Sequence, residues 1–218
     1  DENDDKDDQS TDSFLRARMP QGESWLVVDF YAIEGANAAF EVTAALRDGT
    51  QELEPNDAVG QAFPLGGPGQ GTGTVGAPTA DPTDPQALVP DYDVYSVNVT
   101  AGQFISFSAT AATADLDPYL IVGRLVDGFF GPQFVALGAN NDSDGKNARL
   151  DILFPATGTY YVAVTDYRNA QEGVTAVGGA TFGYTLKSEA ATLAPTAIAV
   201  GTAVSGVVNP GGTRPFYK

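Results

Sequence analysis

Seven residues, Asp93-Val94-Tyr95-Ser96-Val97-Asn98-Val99, alternate as only an extended strand can use: Tyr95, Val97 and Val99 fall on one side, Ser96 and Asn98 on the other. Residues 103–109 repeat the pattern, with Phe104, Ser106 and Ser108 opposite Ile105 and Phe107, and Thr100-Ala101-Gly102 between the two reads as a hairpin-like turn. The same period marks strands at 24–30, 38–46, 118–122, 134–137, 148–154, 159–165, 181–187 and 198–208, with turn residues punctuating them. A helical period is missing except for one short candidate at 57–63. The Gly/Pro-rich stretch 66–90 carries no strand pattern beyond a brief piece at 73–75, and is expected to be a surface excursion. Period two throughout predicts an all-β, antiparallel fold.

Composition narrows the function. With 28 acidic against 11 basic residues, the net charge is −17, which argues against nucleic acid, whose phosphates require Lys and Arg, and against anionic membrane surfaces. Such a surface suits divalent cations, and salt adaptation would produce it equally. Without Cys there is no disulfide framework or thiolate chemistry. Without His the commonest general base and transition-metal ligand are both missing. No apolar run approaches the roughly 18 residues of a membrane span. No signal peptide is visible, and the acidic start, Asp1-Glu2-Asn3-Asp4-Asp5-Lys6-Asp7-Asp8, reads as a processed chain or a piece of a longer one.

Segments of the chain repeat one another. Residues 15–28 run parallel to 150–163: each is a strand, a Pro (Pro20, Pro155), small or polar residues, a Gly (Gly22, Gly158) and an aromatic strand. Residues 1–48 therefore read as the second half of a β-sandwich unit and 49–190 as a complete one. Residues 191–218, with Phe216-Tyr217 in the place of Val94-Tyr95, read as the opening strands of a third. A half-sandwich exposes core and edges, so its missing strands are expected from elsewhere, either within the chain or from a neighbouring copy.

Glu52-Leu53-Glu54-Pro55-Asn56-Asp57 places four oxygen-bearing side chains in six residues, with Pro55 stiffening the backbone. This is a poor core strand and a good holder for a hard cation; Asn and Asp beside Pro are also plain turn formers. The segment opens an ordered series: Asp93-Val94-Tyr95, Ala101-Gly102-Gln103, Asp115-Leu116-Asp117-Pro118-Tyr119-Leu120, Asn141-Asp142, Gly158-Thr159-Tyr160-Tyr161 and Gly183-Tyr184-Thr185-Leu186. In that order, over about residues 51–188, the motifs resemble the bacterial pre-peptidase C-terminal domain, a family related to the collagen-binding domains of secreted bacterial collagenases. The resemblance implies a jelly-roll-like β-sandwich, secreted, often in tandem, and appended to enzymes or surface proteins. It implies calcium held by Glu52, Glu54, Asn56, Asp57 and Asp93. The family's further acid falls here at Pro90, with Asp91 as its neighbour. Residues 52, 54 and 56 alternate along an extended backbone and can face one ion.

Other constellations carry less. Asn140-Asn141-Asp142-Ser143-Asp144-Gly145 lacks the closing Glu of a calcium loop and reads as a solvated turn, as does the acidic run at residues 1–8. No Lys stands in a Ser-x-x-Lys arrangement that would replace a missing His, and no carboxylate pair stands out for glycoside hydrolysis. Tyr92, Phe129, Phe130 and Tyr167 are candidate surface aromatics, with core or loop-anchor roles as the plainer reading. The expectation is a non-catalytic extracellular structural or adhesive protein, polymerising head-to-tail with neighbouring copies of itself by strand donation. The alternative is an accessory calcium-binding module of a secreted hydrolase, docking matrix protein or polysaccharide.

Overall fold

The chain divides into two units, Asp1–Gly49 and Thr50–Lys218. The computed structural model describes residues 51–65, 69–84, 86–128, 131–192, 197, 199–203 and 205, all in the second unit. The strands expected at 24–30 and 38–46 lie outside the described residues, as do residues 1–48 and most of 191–218; of the strand expected at 198–208, residues 199–203 are described and form a turn instead, with the Thr202 N–H donating to the Ala199 carbonyl at 3.1 Å.

Eleven strands are described: β1 (Phe63–Pro64), β2 (Gly69–Thr74), β3 (Thr79–Ala80), β4 (Leu88–Val89), β5 (Asp93–Val99), β6 (Phe104–Ala111), β7 (Pro118–Gly128), β8 (Gly131–Asn140), β9 (Ala148–Leu153), β10 (Gly158–Asp166) and β11 (Gly183–Ala190). They form a five-stranded sheet, β1-β5-β10-β7-β8, a four-stranded sheet, β2-β11-β6-β9, and a small β3–β4 pair. Every pairing is antiparallel except β1 with β5. The fold is an all-β sandwich. The helix expected at 57–63 is only a 3-10 turn, Val59–Gln61.

The alternation sets the layers. Tyr95, Val97 and Val99 of β5 and Leu120 and Val122 of β7 face Ile105, Phe107 and Ala109 of β6 and Leu186 of β11, all buried. Phe154 meets Phe107 edge-on at 6.2 Å and Tyr160 at 4.7 Å; such pairs add to the hydrophobic gain of burying the rings.

Two sequence expectations change. Residues 100–102 do not join a hairpin: β5 and β6 lie in different sheets, so this turn carries the chain across the sandwich. Gly102 takes a left-handed conformation (φ +82°), open to glycine at no steric cost, and its N–H donates to the Phe154 carbonyl at 2.8 Å. Alternation shows which face a strand buries but not which neighbour it pairs with, since both strands turn their apolar sides to one core. The glycine-rich stretch is not wholly an excursion either. Gly69–Thr74 is an edge strand pairing with β11 over six residues, from Gly69↔Ser188 to Thr74↔Gly183, and Val75 just beyond it is fully buried.

Candidate metal centre

The 52–57 segment lies where the two sheets meet. The Glu52 N–H donates to the Thr72 carbonyl of β2 at 2.9 Å, and the Val94 N–H of β5 donates to the Asn56 carbonyl at 3.0 Å. One short stretch, bent through a cis Glu54–Pro55 bond, is thereby bonded to both layers. Asp93 opens β5, and Asp91 lies two residues before it.

Two groups of carboxylates result. Oxygens of Glu52, Glu54 and Asp93 lie within 4.8 Å of one another, and so do oxygens of Glu54, Asp57 and Asp91; Glu54 belongs to both groups. Glu52 and Asp93 are buried, whereas Glu54 and Asp57 face solvent. The outer group opens on a cleft lined also by Pro55, Gly76 and Gly179.

The inner group is held by hydroxyls and main chain. Glu52 Oε2 accepts from Tyr95 Oη at 2.7 Å and from Tyr184 Oη at 2.9 Å, and the two hydroxyls are 2.7 Å apart. Glu52 Oε1 accepts from the Thr74 N–H at 2.5 Å. Asp91 Oδ2 accepts from the Gly76 N–H. Asn56 is fully buried, and its N–H donates to Glu54 Oε2 at 3.0 Å. Its side-chain Nδ2 lies 3.4 Å from Glu52 Oε2, while the other end of the amide sits 3.0 and 3.3 Å from the two Glu54 oxygens. With oxygen at that end, three oxygens converge with no hydrogen between them, an arrangement a cation satisfies; with nitrogen there, the amide donates to Glu54.

The electrostatics are strained in one direction. Burial, then the charges of Glu52 and Asp91, push the Asp93 carboxyl up to about 10. Burial, then a hydrogen bond shared with Asp57, raises Asp91 to about 7. Burial also raises Glu52, against the pull of the Tyr95 hydroxyl. Among the described residues no ion pair reaches Glu52, Glu54, Asp57, Asp91 or Asp93. Asp93 Oδ2 is buried with no hydrogen-bond partner among the described residues, an expensive arrangement for a polar atom. An all-oxygen donor set with an orphaned buried carboxylate oxygen fits a hard divalent cation such as calcium, which takes six to eight oxygens.

The structure thus brings together all six residues singled out in the sequence. Asp91, the neighbour of the departed acid at Pro90, turns its carboxylate into the cluster. Sequence reasoning missed Tyr95, Tyr184 and Gly73. The signal for the tyrosines was present: core-facing positions on alternating strands hold Tyr only where its hydroxyl finds a partner. Gly73 is explained by contact. A Cβ there would collide with the Glu52 carboxylate and the Tyr184 hydroxyl. Gly73→Ala is therefore expected to cost about 1–3 kcal/mol, the range for overpacking a filled interior, measured as a lowered denaturation midpoint with unchanged m-value.

The 140–145 loop contributes to neither group. It closes on itself through Ser143 N–H to the Asn147 carbonyl at 2.8 Å. Of the candidate surface aromatics, Tyr92 anchors a loop through Asn169 O at 3.3 Å and Tyr167 packs on Tyr119 at 5.8 Å; residues 129 and 130 lie outside the described residues.

Residues 91–166, from just before β5 to the end of β10, match the family model of the bacterial pre-peptidase C-terminal domain. That span contains Asp91 and Asp93 but not the 52–57 segment. Among solved structures, the chain is similar to the pre-peptidase C-terminal domain of collagenase from Bacillus anthracis, at 16% identity over 59% of this chain and 94% of that one, with a TM-score of 0.36. It is also similar to PliG of Aeromonas hydrophila, a periplasmic inhibitor of g-type lysozyme, at 17% identity over 59% of this chain and 99% of that one, with a TM-score of 0.34. No curated protein matches the chain.

Proposed function

We propose that this chain, with its pre-peptidase C-terminal domain match at residues 91–166, serves as a non-catalytic, extracellular β-sandwich module whose 52–57 segment is fastened to the sandwich by calcium. The observation that carries this reading is the buried Asp93 Oδ2, without a hydrogen-bond partner among the described residues, at the meeting point of carboxylates that no ion pair among those residues reaches. Glu52, Glu54, Asn56, Asp57, Asp91 and Asp93 would hold the ion. Its contribution is charge: it compensates carboxylates that otherwise repel one another or keep their protons. The protein's own contribution is position. Tyr95 and Tyr184 orient Glu52, the Gly76 N–H orients Asp91, and the strand hydrogen bonds hold the two acidic segments face to face.

Nothing in this arrangement requires a chemical step, and an accessory or structural role follows. Head-to-tail assembly by strand donation rests on residues 1–48 and 191–218, nearly all outside the described residues. The calcium reading has a direct test. Calorimetric titration of the metal-free chain with calcium is expected to show binding that Glu54→Gln weakens at least tenfold, since Glu54 serves both groups. At a calcium concentration a hundredfold above the dissociation constant the fold gains about 2.7 kcal/mol by mass action, visible as a raised melting temperature. Absence of both the heat and the thermal shift would refute the site.

A further inference from the structure

The two outer faces of the sandwich differ in charge. On the four-stranded sheet the outward positions include Arg149 and Asp151 on β9, joined at 3.1 Å, and the exposed Lys187 and Glu189 on β11. On the five-stranded sheet the buried Leu120, Val122, Val162 and Tyr160 fix the inward register, and pairing then fixes the outward one. Ser96 lies beside Tyr161, Tyr161 beside Gly123, Ala163 beside Ile121, and Leu125 beside Phe134. From Ser96 and Asn98 on β5, across Thr159–Ala163 on β10 and Tyr119–Leu125 on β7, to Phe134, Ala136 and Ala139 on β8, no outward position is charged. In a chain of net charge −17 this is a neutral window; its first outward acid is Asp127, near the end of the β7–β8 ladder.

The window carries rings. Tyr119, paired with Tyr167 at 5.8 Å, stands at one end, Tyr161 in the middle and Phe134 at the other. Leu125 and Phe134 are 40% and 42% exposed. The tip of the Phe134 ring fills the space a Cβ on Gly123 would need, so it lies low across the sheet. Small residues (Gly123, Ala136, Ala139, Ala163) keep the floor shallow, and Asn98, whose Oδ1 accepts from Thr159 Oγ1 at 2.8 Å, and Ser96 supply polar groups on one flank.

We infer that this face docks a neutral polysaccharide chain. Charge and area decide among occupants. An uncharged window on an acidic protein offers nothing to a cationic partner and disfavours anionic glycans, which the rest of the surface repels. Four strands at about 4.8 Å and six residues at about 3.3 Å give a face of roughly 14 by 20 Å, near 300 Å². A stable contact with a second copy needs about 800 Å² per partner, well beyond this window. A sugar chain lying along β7 needs no more than its length, aromatic faces to stack on and a few amide or hydroxyl groups beside them, and all of these are present. This role is separate from the calcium site, so the two readings fail independently.

The test is depletion of the full chain from solution by microcrystalline cellulose and by chitin, both neutral and insoluble, with sedimentation of the free protein alongside. Binding to at least one is expected. It should fall at least tenfold in Tyr161→Ala and in Ala136→Glu, which places a charge in the window without removing a core side chain, and be unchanged in Lys187→Ala on the opposite face. Far-UV circular dichroism and the melting temperature report that each variant is folded. No depletion by either polymer overturns the proposal, as does depletion indifferent to Ala136→Glu. So does a wild-type dimer that Ala136→Glu dissociates, since the face would then belong to a second copy.

Discussion

Replacing Asp93 by Asn is expected to raise the melting temperature of the calcium-free protein and to abolish the rise that calcium gives the wild type. The opposite signs follow from one residue. At pH 7 the unfolded chain carries Asp93 ionised, with a pKa near 3.9. In the fold, burial and the Glu52 and Asp91 charges push it up to about 10, so folding without a cation must take up a proton. Three pH units between 3.9 and 7 correspond to a cost on the order of 4 kcal/mol. Asn keeps the shape of the protonated acid and removes the cost, so a gain of several degrees is expected for a domain of this size. Asn also withholds a charge from the ion, so the calcium-dependent gain goes. Thermal melts of both proteins, metal-free and in calcium, decide it. A calcium response surviving in Asp93→Asn would show that the ion does not use this carboxylate, and a lower metal-free melting temperature would show that Asp93 is not held protonated.

The calcium-free protein is further expected to lose stability as pH rises from about 4 to 8, and the calcium-loaded protein to lose much less. Asp91, Asp93 and Glu52 are all raised in the fold. Groups so shifted bind more protons folded than unfolded, so the stability they contribute is complete below the unfolded values near 4 and declines above them. The Asp91 contribution is spent by about pH 7, where its folded value lies, whereas that of Asp93 goes on falling towards 10. Each carboxyl that stays protonated adds at most about 1.4 kcal/mol per pH unit to the slope. A bound cation takes the place of those protons and flattens the profile. Denaturant midpoints at pH 5 and pH 8, with and without calcium, measure the difference. A metal-free profile that rises between those values would mean that the cluster is ionised in the fold, against the burial of Asp93.

The fold and the site were legible in the sequence to different depths. The alternation at 93–99 and 103–109 placed Tyr95, Val97, Val99, Ile105 and Phe107 in the core correctly, because the core side of a strand follows from its period; it did not show that Val94 and Ser106 on the other faces are buried as well. It did not reveal that residues 100–102 pass between sheets, because pairing is set by the whole stack of strands. Gly69–Thr74 was unreadable as a strand because its glycines remove the side chains that would display a period; at Gly73 the reason is the space needed by Glu52 and Tyr184. The acidic cluster was legible because Glu52-Leu53-Glu54-Pro55-Asn56-Asp57 concentrates oxygen donors locally. Tyr184 lies 132 residues from its partner Glu52, and only the fold brings them together.

The 52–57 segment, bonded at one end to β2 and at the other to β5, also has a mechanical meaning. Tension reaching the described residues from the N-terminal side meets this segment first. To peel it away, the pull must break its bonds to both layers and separate Glu52, Glu54 and Asp57 from Asp91 and Asp93. A calcium ion there would make that junction an ionic clamp; without it Asp93 keeps its proton at pH 7, no ionic bond spans the junction and the segment comes off at lower force. Calcium concentration would then set the force at which the module begins to unravel, making the acidic segment a tunable mechanical fuse.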